Sequence, residues 1–258
     1  MATYKFGLLG DPVEHSRSPD LHRAMLRLTG NDGDYLLVRA DDRRLAGEIA
    51  ELRSRSWDGL NVTMPLKECA AALADELDPA ARLAGSVNTL VLSGEVVKGH
   101  STDVTAFSDL LARPGLEGET LLVLGAGGSA GAALAAAAGQ RPVYISARDI
   151  RRATALVDRL GGEAVPWGAP VAGAVVVNAT PIGMSGESLD REVLAVAAGI
   201  IDLPYGSDTT PAVAFMRRRD LPAIDGHEFL LRQAIASFHL WTGAHVEFDE
   251  VLAAIRKA

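Results

Sequence analysis

The chain has 258 residues, room for one large domain or two modest ones, which excludes a small module stapled by metal or disulfides. Acidic residues outnumber basic ones by 33 to 25, and the resulting net charge of −8 argues against a protein that works by neutralising nucleic-acid phosphates. Hydrophobic residues at 48% and charged ones at 22% are ordinary globular proportions, so the chain has the means to bury a core. Cys69 is the single cysteine; it forms no internal disulfide and no cysteine-rich metal set, which points to a reducing compartment. The first six residues lack the apolar core of a signal peptide, and later apolar runs are broken well short of the roughly 18 residues a membrane span needs. A cytoplasmic protein is expected.

Residues 4–10 form a short apolar run that predicts a strand. Ser18-Pro19-Asp20 then reads as an N-cap, a proline at the first helical position and an acid in the first turn. Leu21, Ala24, Met25 and Leu28 give that helix its apolar stripe, which stops before Gly30. Strands are predicted over 34–39 and 60–63 and helices over 45–53 and 66–77, which suggests a mostly parallel sheet. Residues 87–92 and 95–99 read as a hairpin around Ser93-Gly94, followed by a helix over 104–111. The turn-rich segment 113–118 lies in a domain transition placed near 103–118. Strands over 120–124, 143–146, 174–178, 199–202 and 222–225, separated by turns and helices, then predict a doubly wound domain.

Directly after the 120–124 strand the chain reads Gly125-Ala126-Gly127-Gly128-Ser129-Ala130-Gly131, followed by an alanine-rich helix over 129–138. This is the spacing of a dinucleotide fold, in which glycines permit the turn and the close approach of a pyrophosphate to the helix N–H groups. The bland alternative is a glycine-rich turn kept small for tight packing. About twenty residues on, where such folds read the ribose, the 143–146 strand leads into Ala147-Arg148-Asp149. Arg148 and Arg152 suit a 2′-phosphate, as in NADP, although Asp149 is an awkward neighbour for one and a solvated basic helix start is the alternative. NAD stays possible.

Ser16 and Ser18 stand at the mouth of a strand-to-helix turn, where hydroxyls beside a helix N-terminus suit a carboxylate ligand; Ser18 taken alone is an N-cap. Residues 59–68, Gly-Leu-Asn-Val-Thr-Met-Pro-Leu-Lys-Glu, carry Asn61, Thr63 and Lys67 past a strand's carboxyl end, where open α/β sheets bind ligands. Taken alone, Lys67 is as readily a surface lysine. Asn88 and Asp103 add an amide and a carboxylate at strand boundaries, positions also common for turns and caps.

Together the segments HSRSP, NVTMPLK, SVNTL, STD, GAGGSAG and NATPIGM, with the terminal Gln-Ala…Leu-Trp-Thr-Gly run, resemble the shikimate dehydrogenase family, including its quinate/shikimate branch, over nearly the whole chain. The resemblance implies a two-domain α/β fold: a substrate-binding and catalytic domain at 1–103 plus 230–258, and a Rossmann-like NADP-binding domain at 104–229. It implies reversible, NADP-dependent reduction of the 3-dehydroshikimate ketone to shikimate, a step toward aromatic amino acids. By the same resemblance Ser16, Ser18, Asn61, Thr63, Asn88 and Gln233 bind substrate, and Lys67 with Asp103 forms the acid/base pair. Gly125, Ala126, Gly127, Gly128, Ser129, Ala130, Arg148, Arg152, Thr180, Met184 and Gly226 fall on the cofactor side, with Met184 as ordinary core the alternative.

Three departures from the family pattern bear on selectivity: Ser101-Thr102-Asp103-Val104, Ala147-Arg148-Asp149, and Gly226-His227-Glu228-Phe229-Leu230. His227 and Glu228 are unexplained polar additions, either solvated loop residues or an adaptation of the pocket to quinate or an amino-substituted analogue. A quinate or amino-shikimate dehydrogenase therefore stays open. So does a nucleotide-sensing regulator, although a sensor has no need of Lys67 and Asp103. A monomer and a homodimer are both compatible with the apolar C-terminal helices, which either cover the substrate domain or form a dimer face.

Overall fold

Short apolar runs alternate with amphipathic stretches, and in the computed structural model, which describes residues 3–116, 120–206 and 208–256, each becomes a strand or a helix. In chain order these are β1 (Thr3–Gly10), α1 (Ser18–Leu28), β2 (Asp32–Arg39), α2 (Asp42–Arg53), β3 (Gly59–Val62), α3 (Lys67–Leu73), β4 (Glu76–Leu77), α4 (Pro79–Ala84), β5 (Thr89–Ser93), β6 (Val96–His100) and α5 (Thr102–Leu111). The second half gives β7 (Leu121–Leu124), α6 (Gly128–Ala137), β8 (Val143–Ser146), α7 (Ile150–Leu160), β9 (Glu163–Val165), β10 (Val175–Asn178), α8 (Arg191–Val196), β11 (Gly199–Asp202), α9 (Pro211–Arg217) and β12 (Ala223–Ile224), then α10 (Gly226–Thr242) and α11 (Phe248–Arg256). The chain divides into two units, Met1–Thr105 with Leu231–Ala258, and Ala106–Leu230.

The first unit is built on a sheet of order β2-β1-β3-β5-β6-β4. It is mixed where a mostly parallel sheet was expected: β1 pairs in parallel with β2 and β3, but β5 runs antiparallel to both β3 and β6. The physical reason is the hairpin at Ser93-Gly94, since a tight turn joins only antiparallel strands. The helix predicted over 66–77 ends at Leu73. Asp75 ends it: its N–H donates to the Val97 carbonyl, and its carboxylate accepts from Val97 N–H and from both Arg53 guanidinium nitrogens, at 2.6 and 2.8 Å. The Arg53 bonds hold the Asp75 carboxyl down at about 2. Residues 76–77 then pair with β6, and Asp78 caps the short α4, whose Asp-Pro start is a legible signal the periodicity reading passed over.

The start of α1 also differs from expectation. Arg17, not Ser18, is the residue at the cap, with Ser18 and Pro19 in the first turn, so the Ser18 hydroxyl is not spent on capping. Leu21, Ala24 and Met25 are buried as the stripe requires, whereas Leu28 is exposed at the helix end. At the C-terminus α10 sends Leu231, Ala234 and Phe238 into this unit's interior and α11 packs on α1.

The second unit is an all-parallel sheet of order β12-β11-β10-β7-β8-β9, the strand order of a doubly wound dinucleotide fold. Every residue of β7, β10 and β11 is buried, as continuous apolar runs covered on both faces must be. The alanines of α6 are almost all buried, and their small size lets the helix lie close to the sheet. Of the segment 113–118, residues 117 and 118 lie outside the described residues, as do residues 1 and 2 of the N-terminal segment. Among the described residues no helix is long and apolar enough to cross a membrane.

One buried polar residue of the first unit stands apart from the rest. His22 is fully buried, its ring stacked on Tyr35 at 4.4 Å and 5.3 Å from Trp241, with no hydrogen-bond partner at either nitrogen. Burial alone pushes its imidazole down to about 3 from the usual 6.5. The unfolded chain therefore binds a proton that the folded chain refuses, so stability falls as pH drops below the unfolded value. From pH 8 to pH 5 this group costs about 2 kcal/mol of unfolding free energy. Urea unfolding followed by tryptophan emission is expected to show His22→Leu losing that much less than the parent over the same range.

Candidate active site

The polar residues of the first unit gather at one sheet edge because of strand direction. β1 and β3 end there, while the antiparallel β5 begins there, with Asn61 in register with Thr89 and Thr89 with His100. Lys67 opens α3 just past β3, and Asp103 sits in the first turn of α5 just past β6. Their side chains meet: Lys67 Nζ donates to Asp103 Oδ2 at 2.5 Å, with side-chain exposures of only 14% and 4%. Such a charge-assisted bond in a largely dry position fixes both ends tightly.

Asn88 holds the other carboxylate oxygen. Its Nδ2 donates to Asp103 Oδ1 at 3.0 Å and also faces Thr102 Oγ1 at 2.8 Å and Gln233 Oε1 at 3.2 Å, while its Oδ1 accepts the Thr102 N–H at 2.8 Å. Lys67, Asp103, Asn88 and Gln233 are thus one connected group. Beneath it lies a second polar layer. Asn61, 3% exposed, points its Nδ2 at Asn88 O, Thr89 Oγ1 and Ser237 Oγ, all within 2.9–3.0 Å, and its Oδ1 accepts from the Tyr35 hydroxyl at 2.8 Å. The Asn61 amide is engaged inside the protein on both sides. Ser237 further bridges Thr89 at 2.8 Å and Thr102 at 3.1 Å.

Ser16 and Ser18 form a separate pair in the loop between β1 and α1. The Ser16 hydroxyl donates to Ser18 Oγ at 3.1 Å and its oxygen accepts the Ser18 N–H at 3.2 Å. That loop passes the end of β3, where the Asp11 N–H donates to the Met64 carbonyl at 3.0 Å. Thr63, half-buried at that strand end, makes no side-chain hydrogen bond among the described residues.

In the second unit the glycine-rich turn follows β7. Gly125 has φ +108°, and a Cβ there would lie 2.8 Å from the Ala179 carbonyl oxygen, so the fold itself requires glycine. Gly127 is different: it caps α6 in extended conformation, and a Cβ there would meet nothing within 4 Å. No side chain caps α6, so Gly127 leaves space in front of first-turn N–H groups of a ten-residue helix. Ala126 is in the turn; Gly128, Ser129 and the fully buried Ala130 open the helix. Arg148 is exposed past the end of β8 and Arg152 is exposed in the first turn of α7, while the Asp149 carboxylate accepts from the Arg151 N–H as that helix's cap. Asp149 therefore has a structural task.

Thr180 sits in the turn after β10, its N–H and hydroxyl both donating to Asn178 Oδ1, at 3.1 and 2.6 Å. Met184 follows in the same turn and is 46% exposed, which excludes ordinary core. Gly226 begins α10, so close to the 203–204 backbone that a Cβ would lie 2.3 Å from the Leu203 carbonyl oxygen. His227 and Glu228 belong to this helix and not to a loop: Glu228 accepts from Arg113 at 2.5 Å, and the His227 ring lies 5.2 Å from that of Tyr205. Sequence reasoning missed Tyr205, Thr89, Thr102 and Ser237. Ser237 had a signal, since it falls one helical turn after Gln233 on the same face.

Residues 8–90 match the family model described as the shikimate dehydrogenase substrate binding domain. The chain is 38% identical over 256 residues to the shikimate dehydrogenase (NADP(+)) of Acidiphilium cryptum, covering 95% of this chain and 93% of that one. It is 36% identical to the enzyme of the same name from Gluconobacter oxydans, over 94% and 91% of the two chains. Among solved structures, the shikimate 5-dehydrogenase of Thermus thermophilus in complex with NADP(H) and shikimate superposes with a TM-score of 0.88 at 32% identity, covering 98% of this chain and 99% of that one. The shikimate dehydrogenase of Mycobacterium tuberculosis superposes at 0.84 with 30% identity, over 99% and 100% of the chains. Fold and relatives together define a two-domain α/β oxidoreductase. More particularly, the chain belongs to the shikimate dehydrogenase family.

The two glycines separate packing from access. Gly125→Ala is expected to lower the melting temperature by several degrees, because strain and the collision with Ala179 cost roughly 1–3 kcal/mol. Gly127→Ala is expected to stay within about 1 kcal/mol of the parent, because its Cβ enters open space. Differential scanning fluorimetry of the two variants checks the contrast.

Proposed function

We propose that the chain catalyses the NADP-dependent, reversible reduction of 3-dehydroshikimate to shikimate, a step in aromatic amino-acid precursor synthesis. The observation that carries this reading is the buried Lys67–Asp103 pair, locked by Asn88, with Lys67 and Asn88 inside residues 8–90, which match the family's substrate binding domain. When bound, the nicotinamide cofactor supplies the hydride that reaches the carbonyl carbon. Negative charge then develops on the ketone oxygen, and the Lys67 ammonium donates a proton to it; in oxidation the neutral amine takes the proton from the hydroxyl. Asp103 aims the Lys67 Nζ and accepts from a ring hydroxyl. Asn88 and Gln233 orient the remaining hydroxyls, Thr63 offers its hydroxyl, and Ser16 with Ser18 receives the substrate carboxylate. Asn61, whose amide is engaged internally, contributes by holding the Asn88 backbone.

The second unit fits a dinucleotide. Gly127 leaves room for a pyrophosphate before α6, and Ala126, Gly128, Ser129 and Ala130 frame that helix start. Arg148 and Arg152 pair with the 2′-phosphate, which favours NADP over NAD; Thr180, Met184 and Gly226 line the cofactor farther along. We place the reaction in the cytoplasm, as a small-molecule enzyme acting as monomer or homodimer, without nucleic acid or membrane.

The assay is absorbance in the reduced-nicotinamide band with shikimate, quinate and an amino-substituted analogue, each with NADP and NAD. Fast turnover of shikimate with NADP is the expected result; preference for another acid moves the assignment to that substrate and to Ser101, Val104 and His227. Lys67→Ala is expected to lower kcat by about 100- to 10,000-fold with KM for NADP nearly unchanged. Near-full turnover in that variant would refute the acid/base role. Replacing both Arg148 and Arg152 by Ala is expected to weaken NADP by 10-fold or more, roughly two lost charge-assisted bonds, while leaving NAD affinity in place.

A further inference from the structure

The mechanism makes no use of one buried carboxylate. Asp202 ends β11, is fully buried, and lies in register beside Asn178, the last residue of β10. Its Oδ1 accepts from Asn178 Nδ2 at 2.7 Å, and its Oδ2 accepts from the Thr210 hydroxyl. Among the described residues no cation pairs with it. Burial pushes its carboxyl above the usual carboxylate range against the pull of the Thr210 and Asn178 bonds, and Asp225 pushes it further. A carboxyl group buried between two neutral side-chain donors needs a use.

Its use is legible in the bonds of Asn178. The Asn178 Nδ2 donates to Asp202 and to the Ile182 carbonyl at 2.9 Å, while the Oδ1 receives both donors of Thr180. Turned over, the amide would set its oxygen against the Asp202 carboxylate and the Ile182 carbonyl. A carboxylate, which only accepts, forbids that orientation. Thr180 Oγ1 in turn accepts the Ile182 N–H at 3.2 Å, so the Asn178 amide ties Thr180 and Ile182 together, beside the bonds the turn makes through Ala179 to Leu124 and through Gly183 to Glu187. Thr210 is committed to the same point, because its oxygen also accepts the Val213 N–H as the cap of α9. Past Asp202 the backbone continues into Leu203 and Pro204, against which Gly226 is pressed.

We propose that Asp202 is a positioning residue that fixes the Asn178 amide, and through it the 178–184 turn, and so sets how tightly the chain holds NADP. The proposal rests on the cofactor reading above. Asparagine at 202 would keep one oxygen for Asn178 and turn its donor toward Thr210 Oγ1, which can accept; alanine would keep neither.

The test measures KM for NADP, KM for shikimate, kcat, and NADPH affinity by nicotinamide fluorescence in the parent, Asp202→Ala, Asp202→Asn, Asn178→Ala and the Asp202→Ala/Asn178→Ala double variant. Asp202→Ala and Asn178→Ala are each expected to raise KM for NADP about tenfold, with KM for shikimate within about twofold. The double variant is expected to be no worse than either single one, and Asp202→Asn to stay within about threefold of the parent. Unchanged KM for NADP in the alanine variants, additive effects, or an equal rise in both KM values would overturn the proposal. If Asp202→Ala fails to fold, Asn178→Ala decides, since it leaves Asp202 and the α9 cap in place: a normal KM for NADP in it refutes the coupling. A parent that binds NADPH but turns over no shikimate sinks the functional reading instead, and the fluorescence titrations then still judge the Asp202 coupling.

Discussion

The Lys67 ammonium and the Asp103 carboxylate meet at 2.5 Å in a place where neither has much water, and most of the first unit's polar architecture follows from that. A buried ion pair loses hydration on both sides and holds its geometry only when the remaining lone pairs and protons are also satisfied. Asp103 Oδ1 is satisfied by Asn88, Asn88 by Thr102 and Gln233, and the Asn88 carbonyl by Asn61. Each partner comes from a different segment: the end of β3, the start of β5, the start of α5 and the C-terminal helix α10. The pair therefore cannot form until distant parts of the chain have met. The network accordingly draws on both of the chain segments that make up this unit.

The second unit solves a related problem with a related device. At the ends of β10 and β11 a carboxylate fixes an asparagine amide, as Asp103 does for Asn88. The difference lies in the counter-charge. Asp103 has the Lys67 ammonium, whereas the side-chain donors to Asp202 are the neutral Asn178 and Thr210. The first arrangement suits chemistry. The second suits holding a backbone turn in one shape, because an acceptor-only group leaves the amide a single orientation.

Much of this was legible in the chain alone, and what was not shares a cause. The glycine turn and nearly every strand of the second unit follow from local patterns, because parallel strands buried on both faces are short, apolar and bounded by turns, whereas Lys67 and Asp103, each ordinary alone, stood out only through the family resemblance. Helix α3 was read four residues too long, since the apolar period continues through Leu77 while the actual stop is a tertiary bond from Arg53 to Asp75. Ser18 looked like a cap because its type and its proline neighbour fit one; the structure places the cap one residue earlier and leaves the hydroxyl to Ser16. The Asn178–Asp202 bond was invisible for a similar reason. It joins residues 24 apart through strand register, and no periodicity within either strand announces it.

The α3 stop and the Asn178–Asp202 bond concern polar groups whose partners lie far away in sequence, whereas Ser18 pairs with its near neighbour Ser16. His22 is buried with both nitrogens unpaired, yet its ring stacks on Tyr35, whose hydroxyl fixes the Asn61 amide. A phenyl ring at 22 would fill similar space without the desolvation penalty, so packing alone does not call for imidazole there. Asp202 is likewise desolvated, but an apolar residue in its place would leave the Asn178 and Thr210 donors unpaired, so it is kept for its bonds and not for its packing. Local rules are broken in both units behind an asparagine amide at a strand end, Asn61 in the first and Asn178 in the second, where natural sequences give up stability for shape.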